Sequence, residues 1–324
     1  MRPTRRHILT ALGAATLTSG FGLRPALAAD AALKLVATTG MIADTARAVG
    51  GDLVEVRALM GPGVDPHAYR QTRTDILAMR RADLILWNGL YLEAQMEDVL
   101  GDLAAQVPVR AVAEAVEPER RIAHDDYQDR YDPHVWMDPV LWRDVTKAVR
   151  NALIEIAPEH GDTFETRAAA FLQELEALAA YTTGVLATVP EDKRVLVTAH
   201  DAFNYFGRAY GFEVIGIQGI STESEAGLNR ITELVNMLVE RGISAVFVES
   251  SVSDRSIRAL IEGAAAQGHE VRVGGELFSD AMGAPGTYEG TYVGMIDHNA
   301  TVIAAALGGD APERGMTGQL SVGS

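Results

Sequence analysis

PEHGDTFETRAAAFLQELEALAAYTTGVLATV, residues Pro158–Val189, is the stretch on which the fold turns. Its interior carries almost no turn signal. Phe164, Ala168, Phe171, Leu175 and Leu178 recur at steps of four, three, four and three, which is one face of a helix. Glu165, Arg167, Glu174 and Glu176 occupy the other faces. A helix of about 25–30 residues runs roughly 40 Å, long enough to cross a whole domain. It also divides the chain into two halves that resemble one another.

Before it, short apolar runs at Lys34–Thr39, Val54–Met60, Leu84–Trp87 and Val107–Val112 read as buried strands. Helical patterns such as Met41–Val49 and Arg73–Arg81 separate them. After it, the alternation resumes with Val195–Ala199, Glu213–Ile217, Ala245–Glu249 and Val271–Val273, spaced by patterns such as Asn229–Arg241 and Ser256–Gln267. Strands alternating with helices predict an α/β fold with parallel sheets. The expectation is two (β/α)4-type lobes, residues 30–157 and 191–308, bridged by one long rigid helix over residues 158–190. Residues 309–324 are Gly-rich and polar and are expected to be disordered.

The first residues are basic (Arg2, Arg5, Arg6), then apolar and small through Leu23, and end in Ala26-Leu27-Ala28. Such a pattern over residues 1–29 predicts a secretory signal peptide. Its Thr-Arg-Arg-x-Ile-Leu order is similar to a twin-arginine export signal, with an ordinary Sec signal as the alternative. The expected location is the periplasm. The sequence has no cysteine, which excludes disulfides, thiolate metal sites, cysteine nucleophiles and a lipid-modified cysteine anchor. Setting aside the four arginines of the signal takes the formal net charge from −16 to −20. So acidic a surface repels nucleic acid and favours cations.

Two nearly matching triplets stand 67 residues apart: Asp65-Pro66-His67 and Asp132-Pro133-His134, the second opening DPHVWMDP. Proline stiffens the chain and presents the following imidazole from a loop of fixed shape. His200 ends the strand VLVTA, and Asp280 lies in GGELFSD after another strand. Ligands of open α/β sheets bind beyond the carboxyl ends of strands. Each lobe therefore offers two candidate ligands, three imidazoles and one carboxylate in all, a donor set suited to Zn²⁺. Asp65, Asp132, Asp138 and Glu249 are candidate acceptors for the ligand imidazole N–H groups. Trp87, Trp136 and Phe203 read as packing residues, and His160, His269 and His298 as non-ligands.

The chain resembles the metal-binding solute receptors of bacterial ABC importers for zinc and manganese, the cluster in which two lobes flank one rigid helix. The resemblance spans the mature chain and rests on TTGMIADTARAVGGD, GPGVDPHAYRQTRTDILAMRRADLILWNGLYLE, DPHVWMDP, TAHDAFNYFGRAYG, LFSDAMG and the Tyr292 and Asn299 region. It implies His67, His134, His200 and Asp280 as the metal ligands. It implies a monomeric receptor rather than an enzyme, which takes Zn²⁺ and hands it to a membrane ABC permease. A periplasmic metallochaperone is a candidate loading partner. Manganese members generally carry Glu where this chain has His200, so Mn²⁺ is the alternative cargo. Many zinc members also carry a long histidine-rich loop before the second ligand. Here the corresponding stretch, His124-Asp125-Asp126-Tyr127-Gln128-Asp129-Arg130-Tyr131, is short and acidic, with weak metal binding at His124, Asp125 and Asp126 as one reading and a solvated loop as the other. A zinc hydrolase is the rival from another class. Against it stand the closing carboxylate of Asp280 and the lack of an HExxH-like base.

Overall fold

The computed structural model describes residues 31–124 and 129–321. The proposed signal peptide and residues 125–128 of the acidic stretch lie outside the described residues.

In the N-terminal lobe β1 (Leu33–Ala37), α1 (Gly40–Gly50), β2 (Val54–Ala58), α2 (Arg73–Met79), β3 (Leu84–Trp87), α3 (Glu97–Leu103) and β4 (Val109–Ala111) alternate. The strands form one parallel sheet in the order β2-β1-β3-β4. The chain thus leaves β1 to one side and returns on the other, creating a crevice beyond the carboxyl ends of β1 and β3. α4 (Pro139–Ile156) then leads to α5 (Gly161–Leu186).

At 26 residues, α5 is about 39 Å long at 1.5 Å per residue. It buries Phe164, Ala168, Phe171, Leu175 and Leu178, the face that the sequence spacing predicts, and continues it through Thr182, Val185 and Leu186. That face enters a hydrophobic core shared by both lobes, which joins Met41, Trp142 and Leu153 to Phe206, Phe247 and Ile296. Smaller cores lie apart from it in each lobe. A bridge packed into a common core resists bending more than an exposed strand linker, because opening would expose apolar area.

The second lobe contains β5 (Val195–Thr198), α6 (Asn204–Tyr210), β6 (Glu213–Gly216), α7 (Leu228–Arg241), β7 (Ala245–Glu249), α8 (Arg255–Ala266), β8 (Arg272–Leu277) and α9 (Tyr292–Ala306). Here the strands pair only as parallel β5-β6 and β7-β8, rather than as one four-stranded ladder. β5 and β7 lie side by side. At their carboxyl ends, the side chain of Glu249, the last residue of β7, accepts from the His200 backbone N–H at 2.8 Å. β8 is longer than its sequence pattern predicts and its register slips beside Val246 and Phe247. The slip is built on Gly274 and Gly275: a Cβ on Gly275, whose φ is +152°, would lie 2.4 Å from Val302 Cγ1.

The expectation of a disordered tail is corrected through Ser321. Asp297 Oδ2 on α9 accepts from the Met316 backbone N–H at 2.8 Å, and Glu289 accepts from that of Ser321 at 2.6 Å. Leu320 is buried. Composition suggested disorder because the acceptors that fix the tail lie elsewhere in the chain.

Candidate metal centre

His67 follows β2 in the loop Gly61-Pro62-Gly63-Val64-Asp65-Pro66-His67. His134 opens a 3-10 turn, Val135–Met137, ahead of α4. His200 follows β5 and Asp280 follows β8. All four are buried, and one donor atom from each lies within 4.8 Å of those of the others. His67 Nε2 and His134 Nε2 are 3.2 Å apart. Asp280 Oδ1 is 3.4 Å from His134 Nε2, while its Oδ2 is 3.2 Å from His200 Nε2 and 3.9 Å from His67 Nε2. Four donors at the zinc bond length of about 2.0–2.1 Å around a tetrahedral ion stand about 3.3–3.4 Å from one another. Three of these separations, at 3.2, 3.2 and 3.4 Å, match that edge length, while His67 to Asp280 at 3.9 Å is longer. Beyond these contacts with one another, His200 Nε2 and both Asp280 oxygens have no hydrogen-bond partner, which is costly for buried polar atoms unless something else satisfies them.

The two triplets share one local solution. In each, the Asp Oδ1 accepts from the backbone N–H of the histidine two residues on, at 2.9 Å, an Asx turn closed over the intervening proline. They differ in what else the aspartate does. Asp132 Oδ1 also lies 2.7 Å from His134 Nδ1, which directs Nε2 of that ring to the centre. Asp65 instead turns its Oδ2 to the hydroxyl of Thr222, in the other lobe, at 2.6 Å. Glu249 Oε2 orients His200 through Nδ1 at 2.5 Å. Asp138 departs from its expected role: it caps α4 by accepting from the Val140 N–H at 2.8 Å, with Pro139 as the first helical residue.

Neighbouring groups hold these loops. Asn88 Nδ2 donates to the Pro133 carbonyl at 3.1 Å, and Asn299 clasps Phe278 through both its backbone N–H and its carbonyl. Trp136 is fully buried as expected of a packing residue, but its indole N–H also donates to the Ser279 carbonyl at 2.8 Å, tying the His134 turn to the Asp280 loop. These partners stand 21 to 143 residues apart in sequence and leave no local signal. His160, His269 and His298 lie outside the group, the last two with Nε2 on the carbonyls of Ile243 and Glu276.

Burial pushes His67 down to about 3. Burial acts the same way on His134, but Asp132 and Asp280 outweigh it and raise that ring to about 9. At His200 burial is likewise overcome, by Asp280 and Glu249, and the ring rises well above the usual range. Burial alone would raise Asp280, yet His200 and His134 hold it well below the usual carboxylate range. Without metal, the centre therefore keeps protons on His134 and His200 at neutral pH. A metal held by these side chains would have to displace them, so affinity should rise with pH above neutrality. Calorimetric titration in buffers of different ionisation enthalpy should register proton release at pH 7.

Glu93 lies behind the centre, accepting from Thr38 Oγ1 at 2.6 Å and from the backbone N–H groups of Asn88 and Gly89 at 2.8 and 3.1 Å. Burial nonetheless raises its carboxyl from 4.5 to about 7. The folded state then binds this proton more tightly than the unfolded one. The stabilisation is fully present below about 4.5 and is lost as pH rises through about 7, a change of roughly 3 kcal/mol. Urea unfolding of metal-free protein should show Glu93→Gln flattening the stability slope between those pH values.

The periplasmic component A model of the zinc-uptake complex (ZnuA) matches residues 35–306. The chain belongs to this family. The ZnuA family comprises metal-binding solute receptors of ABC importers, and its two-lobed fold joined by a long helix is the one described above. The manganese-binding lipoprotein MntA of Bacillus subtilis (strain 168) is 47% identical over 279 residues, covering 86% of this chain and 91% of that protein. The zinc-binding protein TroA of Treponema pallidum (strain Nichols) is 46% identical over 298 residues, covering 92% and 96%. The solved structure of periplasmic zinc-binding TroA from Treponema pallidum superposes with a TM-score of 0.83 at 45% identity, covering 86% of this chain and 99% of that one. Among the described residues, no helix is long and apolar enough to cross a membrane.

Proposed function

We propose that this protein is a periplasmic receptor that binds one Zn²⁺ through His67, His134, His200 and Asp280 and delivers it to a membrane ABC permease. The observation that carries the reading is the donor geometry: three imidazole nitrogens and one carboxylate, buried together near the edge lengths of a zinc tetrahedron. With two ligands from each lobe, the ion favours one arrangement of the lobes. The shared core around α5 favours loop movement over a wide hinge swing as the route of release.

Manganese is the second reading, and one feature favours it. Asp280 turns both oxygens toward the imidazoles, so five donor atoms are available. Higher coordination and oxygen donors suit Mn²⁺, whereas three imidazoles suit Zn²⁺. Competition between the two ions for metal-free protein, with elemental analysis of protein taken from its native periplasm, decides between them. Zinc should displace manganese at equal concentrations. Retention of manganese against zinc overturns the zinc assignment, and failure to bind either ion overturns the receptor.

A further inference from the structure

Each Asp-Pro-His turn of the N-terminal lobe is held from the opposite lobe through its aspartate, and the two holds are unequal. Asp132 is gripped by a helix: Asn204 Nδ2 donates to its Oδ2 at 3.2 Å, and the Tyr205 hydroxyl donates to its carbonyl at 2.9 Å. Asn204 and Tyr205 open α6, and Tyr205 is fully buried. Asp65 is gripped by a loop. Thr222 lies in residues 217–227 between β6 and α7, a stretch without helix or strand whose residues 221–227 are half-buried or exposed. Its hydroxyl reaches Asp65 Oδ2 at 2.6 Å, and the next residue, Glu223, accepts from Gln95 Nε2 at 2.6 Å. Thr222 thus completes a chain from the C-terminal lobe through Asp65 to the His67 backbone N–H.

We propose that Thr222 is a positioning residue for metal retention: its hydroxyl holds the Asp65–His67 turn from across the cleft, and loosening of this bond sets the rate at which the ion leaves. The inference rests on the receptor reading above. Of the two holds, this one can part with least disruption. It needs only an exposed loop to lift, whereas releasing Asp132 means moving a buried tyrosine and its helix. Once Thr222 lets go, Asp65 is freed on one side and His67 retains only the local Asx turn. A hydrogen bond to a carboxylate is among the stronger ones, and its strength here is spent on holding the two lobes' loops together.

The test is release of Zn²⁺ from purified, loaded protein to excess chromogenic chelator, followed by stopped flow. Thr222→Val keeps the shape and removes the donor; release should quicken about tenfold. Zinc association and the melting temperature of the metal-free protein should not change. Thr222→Ser restores the hydroxyl and should restore the slow release. Release from Thr222→Val at the wild-type rate overturns the proposal, as does equally fast release from Thr222→Ser. If Thr222→Val also lowers the metal-free melting temperature, recovery of slow release in Thr222→Ser still decides. Failure of the unaltered protein to hold zinc defeats the receptor reading itself, whereas normal zinc binding with no effect of Thr222→Val defeats only the role of Thr222.

Discussion

His200→Ala should weaken zinc binding by more than about a hundredfold, since the loss even of a group that merely orients a ligand costs about 10–100-fold. The deletion removes one of three imidazoles and also leaves Glu249 Oε2 without the ring 2.5 Å away, although Oε1 still accepts the backbone N–H of residue 200. The more informative change is His200→Glu, which places a carboxylate where manganese chemistry favours one. Alone it should not convert the protein to manganese selectivity. Glu249 is set to accept a proton from whatever stands at position 200, and a second carboxylate there meets it as a like charge, so one of the two must stay protonated. The expected result is weak binding of both ions by His200→Glu. Paired with Glu249→Gln, which can donate to the new carboxylate, manganese affinity should recover relative to zinc. Competition titrations on the single and double variants check this, and a manganese-selective single variant would contradict the role given to Glu249.

The four side chains of this centre were legible in the sequence because each follows a strand or a stiffening proline, and such positions converge at the carboxyl ends of parallel sheets. The long helix was legible through a run of apolar steps with no interruption, and its buried face matches them residue for residue. The roles of the surrounding carboxylates were only half legible. Asp65, Asp132, Asp138 and Glu249 are the same kind of residue near the same kind of motif. Yet two orient imidazoles, one caps a helix and one reaches across the cleft to Thr222. Two of these contacts are local, two residues apart, but the other two reach across 49 and 157 residues, which spacing does not encode. The split of the second sheet has the same origin, since strand patterns specify burial but not which neighbour completes a ladder. In the tail, a run of Gly and polar residues that would be free in isolation is fixed by the buried carboxylates of Asp297 and Glu289.

Tyr292→Ala should be the most destabilising single change outside the centre, because this side chain joins the lobes at their common core. Tyr292 is fully buried and its ring stacks on Trp142 at 5.1 Å between centroids, with 9° between planes. Its hydroxyl donates to the Trp136 carbonyl at 2.8 Å, and its backbone N–H, at the start of α9, donates to Asp44 in α1 at 2.8 Å. Removing a buried ring of this size costs about 3–5 kcal/mol, with a further 1–3 kcal/mol for the orphaned Trp136 carbonyl. Spread over a protein of this size, the melting temperature should fall by roughly 10–20 °C. Tyr292→Phe separates the two contributions: the stack survives, and only the hydroxyl is lost. Its smaller loss of stability should carry a disproportionate effect on metal retention. The Trp136 carbonyl belongs to the turn that presents His134, and the same residue's indole N–H holds Ser279 beside Asp280. Calorimetric melting of both variants, metal-free and zinc-loaded, measures this directly. If the zinc-induced rise in melting temperature is the same in Tyr292→Phe as in the unaltered protein, Tyr292 supports the fold alone; a smaller rise means that the interlobe core also sets the grip on the metal.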